Sequence, residues 1–279
     1  MADMSIFDEL SEMIAIRINS FNEEDHGRDW IEHKTHSDYD LWFVQSGQVH
    51  IQIDGTEHTA CAGDVVFFYP QIPYRASAPA EGCRFMYIHF EYGIGGQQRI
   101  LKDFPLSGIV RHTLIQEESR LFAASFGRTT ERGGTPGGRL YLKAGLTAVI
   151  ARIIELHGQD RYTGAFLKGQ SPRRSERNLD TLQPIFQYID DHLHQPIKMA
   201  ELAALVGISE KYFISYFKKS LGITPGQYLF QVKMNRARAY IYQKSYTVQQ
   251  IAGLLGYPDP FTFSKAFKKH YRVPPSKFV

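Results

Sequence analysis

Two stretches decide how this chain folds: LAALVGISEKYFISYFKKSLGITP at residues 202–225 and IAGLLGYPDPFTFSKAFKKHYRVPP at residues 251–275. Ala203 and Gly207 recur as Ala252 and Gly256, an offset of 49. Phe213, Phe217, Lys218, Lys219, Pro225 and Tyr228 recur as Phe263, Phe267, Lys268, Lys269, Pro275 and Phe278, an offset of 50. The extra residue falls in the turn that holds Pro258 and Pro260, so one supersecondary unit is used twice. In each copy a short apolar helix (Leu202, Leu205 and Val206; Ile251 and Leu255) carries a small residue, Ala203 or Ala252, where a second helix crosses closely. Gly207 or Gly256 then takes the left-handed turn. Ser209 and Asp259 stand as N-caps, and phenylalanines four and eight residues later face the core. This is the pattern of a helix-turn-helix.

With the phenylalanines inward, the outward stripe of the first recognition helix holds Lys211, Ile214, Ser215 and Lys218. The second presents Phe261, Thr262, Ser264, Lys265 and Lys268. Short hydroxyl side chains let a helix sit near base edges, lysine reaches guanine or phosphate, and Ile214 suits a thymine methyl group. The expected base contacts on double-stranded DNA are therefore Lys211, Ile214, Ser215, Phe261, Thr262, Ser264 and Lys265. The expected phosphate contacts are Lys218, Lys219, Lys268 and Lys269, joined by Arg236 and Arg238. Those two arginines, with Lys233, decorate a helix predicted over Gln227 to Gln243, about 25 Å long, which spaces the two units. A solvated basic face on an all-helical protein-binding domain is the plain alternative.

Charge follows the same division. Residues 1–175 carry 18 Lys/Arg against 22 Asp/Glu, a net of −4, whereas residues 176–279 carry 14 against 7, a net of +7. A basic module joined to an acidic one points to a polyanion met by the second half only. At 279 residues the chain fits two domains. Its 43% apolar and 22% charged content excludes wholesale disorder and fibrous repetition. No apolar run approaches the roughly 18 residues of a membrane span. The start lacks the pattern of a signal peptide, and two cysteines, Cys61 and Cys83, are too few for a disulfide scaffold. A cytoplasmic protein with no membrane partner is expected.

From about residue 29 to 91, short apolar runs (Leu41 to Val44, Val49 to Ile53, Val65 to Tyr69, Phe85 to Phe90) alternate with turns at Ser46-Gly47, Asp54-Gly55 and Ala62-Gly63-Asp64. That spacing predicts an antiparallel barrel or sandwich. Helices follow over 114–126 and 139–157, separated by a loop at Gly133 to Gly138. Leu142, Leu146, Val149, Ile153 and Leu156 keep a coiled-coil spacing, which serves either a homodimer seam or packing on the chain's own barrel. The glycine-rich, polar stretch 158–178 reads as a linker. The fold class is α+β in two domains: residues 1–157 a β-barrel with following helices that serve dimerisation or internal packing, and residues 179–279 an all-α double helix-turn-helix.

Residues 180–279 resemble the DNA-binding domain of the AraC/XylS family of transcription regulators. The resemblance rests on Ala203 to Ser209, Phe213 to Lys219, Gly222 to Pro225, Ile251-Ala252 through Gly256-Tyr257, Phe263 to Lys269 and Val273 to Pro275. Arg272 and Phe261 depart from it, since many members have Gly at the first position and a polar residue at the second. Residues 29–91 similarly resemble the cupin-like effector domain of such regulators, through His36 before Tyr39-Asp40-Leu41, the Ser46-Gly47 turn, Ala62-Gly63-Asp64 and Pro70 to Tyr74. Cupin enzymes hold a metal with a His-x-His pair, a carboxylate and a later His. Here His33 and His36 are two residues apart, Tyr74 takes the later position, and strand alternation does not converge His50, His58 and His89. No metal or other cofactor is expected. What remains is a barrel mouth for a small effector such as a sugar, lined by His33, His36, Trp42, Tyr74, Arg75, Tyr87 and His89. The resemblance implies a ligand-responsive regulator, not an enzyme, in contact with DNA and RNA polymerase. Two alternatives are a constitutive or partner-controlled DNA-binding regulator and a metal-dependent cupin enzyme fused to a DNA-binding domain.

Overall fold

The structure, a computed structural model, describes residues 6–79, 81–94, 100–130, 135–167 and 180–278. These fall into two compact units, one ending within residue 167 and the other beginning at 180. The first opens with α1 (Ile6–Leu10) and continues through β1 (Ile14–His26), β2 (Ile31–Lys34), β3 (Tyr39–Ile53), β4 (Thr56–Cys61), β5 (Val65–Phe68), β6 (Tyr74–Ser77), β7 (Cys83–Ile94) and β8 (Gly108–Val110). Every ladder is antiparallel. The order β1-β7-β3-β5-β8 forms one layer, and β2-β6-β3-β4 the other.

β3 belongs to both layers because it is 15 residues long and its register with β7 shifts between Val44 and Ser46. Its first half pairs with β7 and β5, its second with β4 and β6. The bulge turns the strand from one layer into the other. Aromatic rings fill the space between them: Trp42 stacks on Phe85 at 4.5 Å and Phe68 on Tyr74 at 4.4 Å. Buried Asp64 fastens the β4–β5 turn to the next helix, accepting from the Cys61 and His112 N–H groups and from Arg111 Nη1 at 2.6 Å.

Two helices follow, α2 (His112–Thr130) and α3 (Gly138–Gly158). Leu142, Leu146, Val149, Ile153 and Leu156 are fully buried within the protomer, as are Phe122 and Phe126 of α2. The predicted dimer seam is therefore corrected: its heptad stripe is covered by the chain's own packing and offers no face to a second copy. The linker expected from residue 158 also starts later. Phe166 packs in the barrel core against Phe68 and His58, the Tyr162 hydroxyl donates to Leu106 O at 2.9 Å, and the Gly164 and Phe166 N–H groups donate to Pro105 O and Ser107 O. Residues 168–178 of that linker, and Gly133-Gly134 of the expected loop, lie outside the described residues.

The second unit contains α4 (Gln183–Asp191), α5 (Met199–Leu205), α6 (Glu210–Leu221), α7 (Pro225–Gln243), α8 (Val248–Leu254) and α9 (Pro260–Tyr271). α7 joins two small cores. Its Tyr228 packs edge-on to Phe217 and Phe186, while Met234, Ala237 and Ile241 pack with Ile251, Ala252, Leu255, Phe263 and Phe267. Two capping boxes with matching geometry start α7 and α8: Thr224 with Gln227, and Thr247 with Gln250, each with bonds of 2.8 and 3.2 Å. Among the described residues no helix is long and apolar enough to cross a membrane.

Candidate functional site

α5–α6 and α8–α9 form the two helix-turn-helix units. Residues 211–219 and 261–269 share one exposure pattern across nine positions: two exposed, one buried, one half-buried, one exposed, one half-buried, one buried, two exposed. Phe213, Phe217, Phe263 and Phe267 are the buried positions. Lys211, Ser215, Lys218 and Lys219 in α6, and Phe261, Thr262, Lys265, Lys268 and Lys269 in α9, are exposed, while Ile214 and Ser264 are half-buried at matched places. Phe261 is 78% exposed, which no packing demand of the monomer explains.

Two of the expected base-reading hydroxyls are engaged inside α9. Thr262 donates to Asp259 Oδ2 at 2.8 Å and Ser264 to Pro260 O at 2.7 Å. Asp259 also accepts the Thr262 N–H at 2.7 Å, and these bonds hold its carboxyl below the usual range. On α7, Arg236 meets Asp190 at 2.5 Å, and Lys233 is buried over the Tyr257 ring, its ammonium pushed down by burial. Arg238 is exposed.

In the barrel, a cavity of about 170 Å³ is walled by Trp42, Phe85, Tyr87 and Tyr74 and floored by charged groups. Asp40 is 1% exposed. Its Oδ2 accepts the Trp42 Nε1–H at 2.8 Å, and its Oδ1 has no hydrogen-bond partner. His36 Nε2 lies 3.5 Å from Asp40 Oδ2 and 2.9 Å from the Tyr74 hydroxyl, which reaches Glu32 Oε1 at 3.1 Å. His89 Nε2 lies 4.0 Å from Asp40 Oδ1, and its Nδ1 lies 3.2 Å from Asp38 Oδ1. Burial pushes the Asp40 carboxyl well up. Burial, then the nearby His89, pushes His36 down to about 4, and burial also lowers His89, so both rings are neutral near pH 7.

A family model described as a helix-turn-helix domain, of the AraC type, matches residues 202–279, and one described as a cupin domain matches residues 23–89. The C-terminal unit is an AraC-type helix-turn-helix domain, and the barrel is a cupin domain. The chain is 30% identical over 105 residues to the probable transcriptional regulator LumQ of Photobacterium leiognathi, covering 37% of this chain and 42% of that protein. It is 29% identical over 99 residues to the lactose operon transcription activator of Staphylococcus xylosus, covering 36% of each. The C-terminal domain of AraT, a response regulator from Geobacillus stearothermophilus, is 28% identical over 35% of this chain and 81% of its own, with a TM-score of 0.34. The chain thus spans roughly two-fifths of the length of these curated relatives.

Within the cupin domain the expected pocket residues divide. His36, Trp42, Tyr74, Tyr87 and His89 line the cavity. His33 and Arg75 do not: they open onto a separate shallow cleft with Gln52, Asp54 and Pro73. The pleat explains this, since Glu32 and Lys34 flank His33 on β2 and Tyr74 precedes Arg75 on β6, so neighbours point to opposite faces. His36 and His89 lie side by side in the cavity wall, their ring centroids 4.4 Å apart. His50 and His58 do stay elsewhere, on Thr59 and Phe166. Sequence reading missed Glu24, His26, Glu32, Lys34, Asp40 and Phe85 in the cavity wall. Asp40 was findable, because period-two alternation puts it on the face of Trp42.

Proposed function

We propose that the chain is a cytoplasmic, non-enzymatic transcription regulator that reads double-stranded DNA with α6 and α9 and responds to a small polar effector held in the cupin pocket. The observation that carries the first part is the shared exposure pattern of 211–219 and 261–269, which offers two matched helix faces rich in lysine. Lys211, Ile214, Ser215, Phe261 and Lys265 read base edges, with Thr262 and Ser264 limited to their acceptor lone pairs. Lys218, Lys219, Lys268, Lys269 and Arg238 meet phosphates, and Arg236 joins them only by leaving Asp190. The aromatic walls and charged floor suit a polyhydroxylated ligand such as a sugar, and Tyr74, Tyr87 and Trp42 supply its contact surface. Binding there shifts DNA affinity or contact with RNA polymerase to the extent that the ligand prefers one arrangement of the protein.

Selection of binding sites from a random DNA pool, followed by footprinting, tests the reading. Two protected major-groove segments about 34 Å apart are expected. Failure to enrich any sequence overturns it. A sugar panel read by melting temperature tests the effector part, where no shift for any member overturns it.

A further inference from the structure

Two hydrogen-bond acceptors face each other on the floor of the cupin cavity. Asp40 is 1% exposed, and among the described residues its Oδ1 has no hydrogen-bond partner. A buried oxygen in that state is costly unless a ligand supplies the missing hydrogen. The β3–β7 register sets His89 directly opposite Asp40. The His89 Nδ1–H donates to Asp38 Oδ1 at 3.2 Å, so the neutral ring keeps Nε2 as an acceptor, 4.0 Å from Asp40 Oδ1. A hydroxyl has one hydrogen and satisfies one of the two acceptors, whereas a primary ammonium has three and satisfies both. Among the described residues, three carboxylates line the cavity, Glu24, Glu32 and Asp40, against one ammonium, Lys34, which Glu32 Oε2 already holds at 2.9 Å. The local field therefore favours a cation. Burial pushes the Asp40 carboxyl up, and a cation beside it restores the ionised form. Trp42, Phe85 and Tyr87 close the sides with aromatic surface, which attracts an ammonium and covers the carbon face of a ring. At about 170 Å³ the cavity is smaller than those that take drug-sized ligands, so it suits one small ring.

We propose that the effector of this pocket is a small hydroxylated primary amine of the amino-sugar class, whose ammonium group sits between Asp40 Oδ1 and His89 Nε2. A neutral sugar fills the same walls but brings no charge to the carboxylate and leaves one acceptor unsatisfied. An N-acetylated sugar offers one amide hydrogen, also without charge. The inference rests on the cupin cavity being an effector site and is independent of the DNA-reading half.

The test titrates the full chain, in the presence of a chelator, with glucosamine, galactosamine and mannosamine beside their parent sugars and their N-acetyl derivatives, read by calorimetry and melting temperature. At least one amine is expected to bind about tenfold or more tightly than both its parent sugar and its N-acetyl derivative. Asp40→Asn and His89→Gln each cut that advantage to about threefold or less, because each removes one partner of a charge-assisted hydrogen bond. Glu57→Gln, at an exposed acid outside the cavity, retains it. The comparison of amine with parent sugar on the unaltered chain does not depend on how the variants fold. Parent sugars that bind as tightly as the amines overturn the ammonium assignment and leave the effector site standing. An advantage that survives in both Asp40→Asn and His89→Gln overturns it as well. Binding by no member of the panel overturns the assignment and the effector reading together.

Discussion

Gly207 and Gly256 hold the same turn in the two helix-turn-helix units, at φ +68° and +62°, but in different surroundings. A Cβ added at Gly207 meets nothing within 4 Å, whereas one at Gly256 falls 2.5 Å from the Gln195 carbonyl in the α4–α5 connection. The caps differ as well. Ser209 accepts the Tyr212 N–H at 3.4 Å, and Asp259 accepts the Thr262 N–H at 2.7 Å. At the ends of the two recognition helices, Gly222 and Arg272 take the same left-handed cap, and each N–H bonds the carbonyl four residues back at 2.8 Å. One sequence pattern has therefore been built twice with unequal tolerance. The second unit is wedged against backbone at its turn and carries a strained cap at its end.

The sharpest way to break this comparison is Gly256→Ala beside Gly207→Ala. The Gly207 change costs only the left-handed backbone penalty, about 1–2 kcal/mol. The Gly256 change adds a backbone clash and should abolish hydrogen-exchange protection across α8 and α9. Equal loss of protection in both units would show that Gln195 does not constrain the second turn. Next in size are the reading faces. Lys265→Ala is expected to cost about 1–3 kcal/mol and relax preference at one base pair. Lys218→Ala or Lys268→Ala should leave preference intact and lower the salt slope by about one unit, in binding isotherms measured at several salt concentrations.

Acid separates the caps. The Asp259 carboxyl is held below its ordinary 3.8, so its capping contribution is present above that pH and fades as pH falls through the lowered value. Ser209 has no such titration. Helical signal from the second unit should therefore weaken first in acid, and Asp259→Asn should remove the difference. The smallest expected effect is a gain. Arg272→Gly relieves a left-handed cap and should raise stability by roughly 0.5–1 kcal/mol in denaturant unfolding, bringing the second helix end to parity with Gly222.

Much of the helix-turn-helix half was legible because its signals are local. N-caps, turn glycines and phenylalanines at four-residue spacing act within one or two turns of chain, and the outward lysines follow once the phenylalanines are placed. The barrel was legible as strands and turns but not as a site. Asp40 and His89 are 49 positions apart and become neighbours only through the β3–β7 register. His33 and Arg75 were misplaced because a one-residue step along a pleated strand reverses the face. The stripe from Leu142 to Leu156 shows the same limit, since coiled-coil spacing specifies an apolar face without naming what covers it.

Sequence by itself determined the duplicated helical unit, its caps and its turns, because residues a few positions apart cannot avoid meeting. Only the tertiary structure decided which strand stands beside which, that Phe166 closes the barrel core, and that two histidines gather around a buried carboxylate. Those outcomes depend on pairing between distant segments, where many partners satisfy the same local pattern and packing selects one.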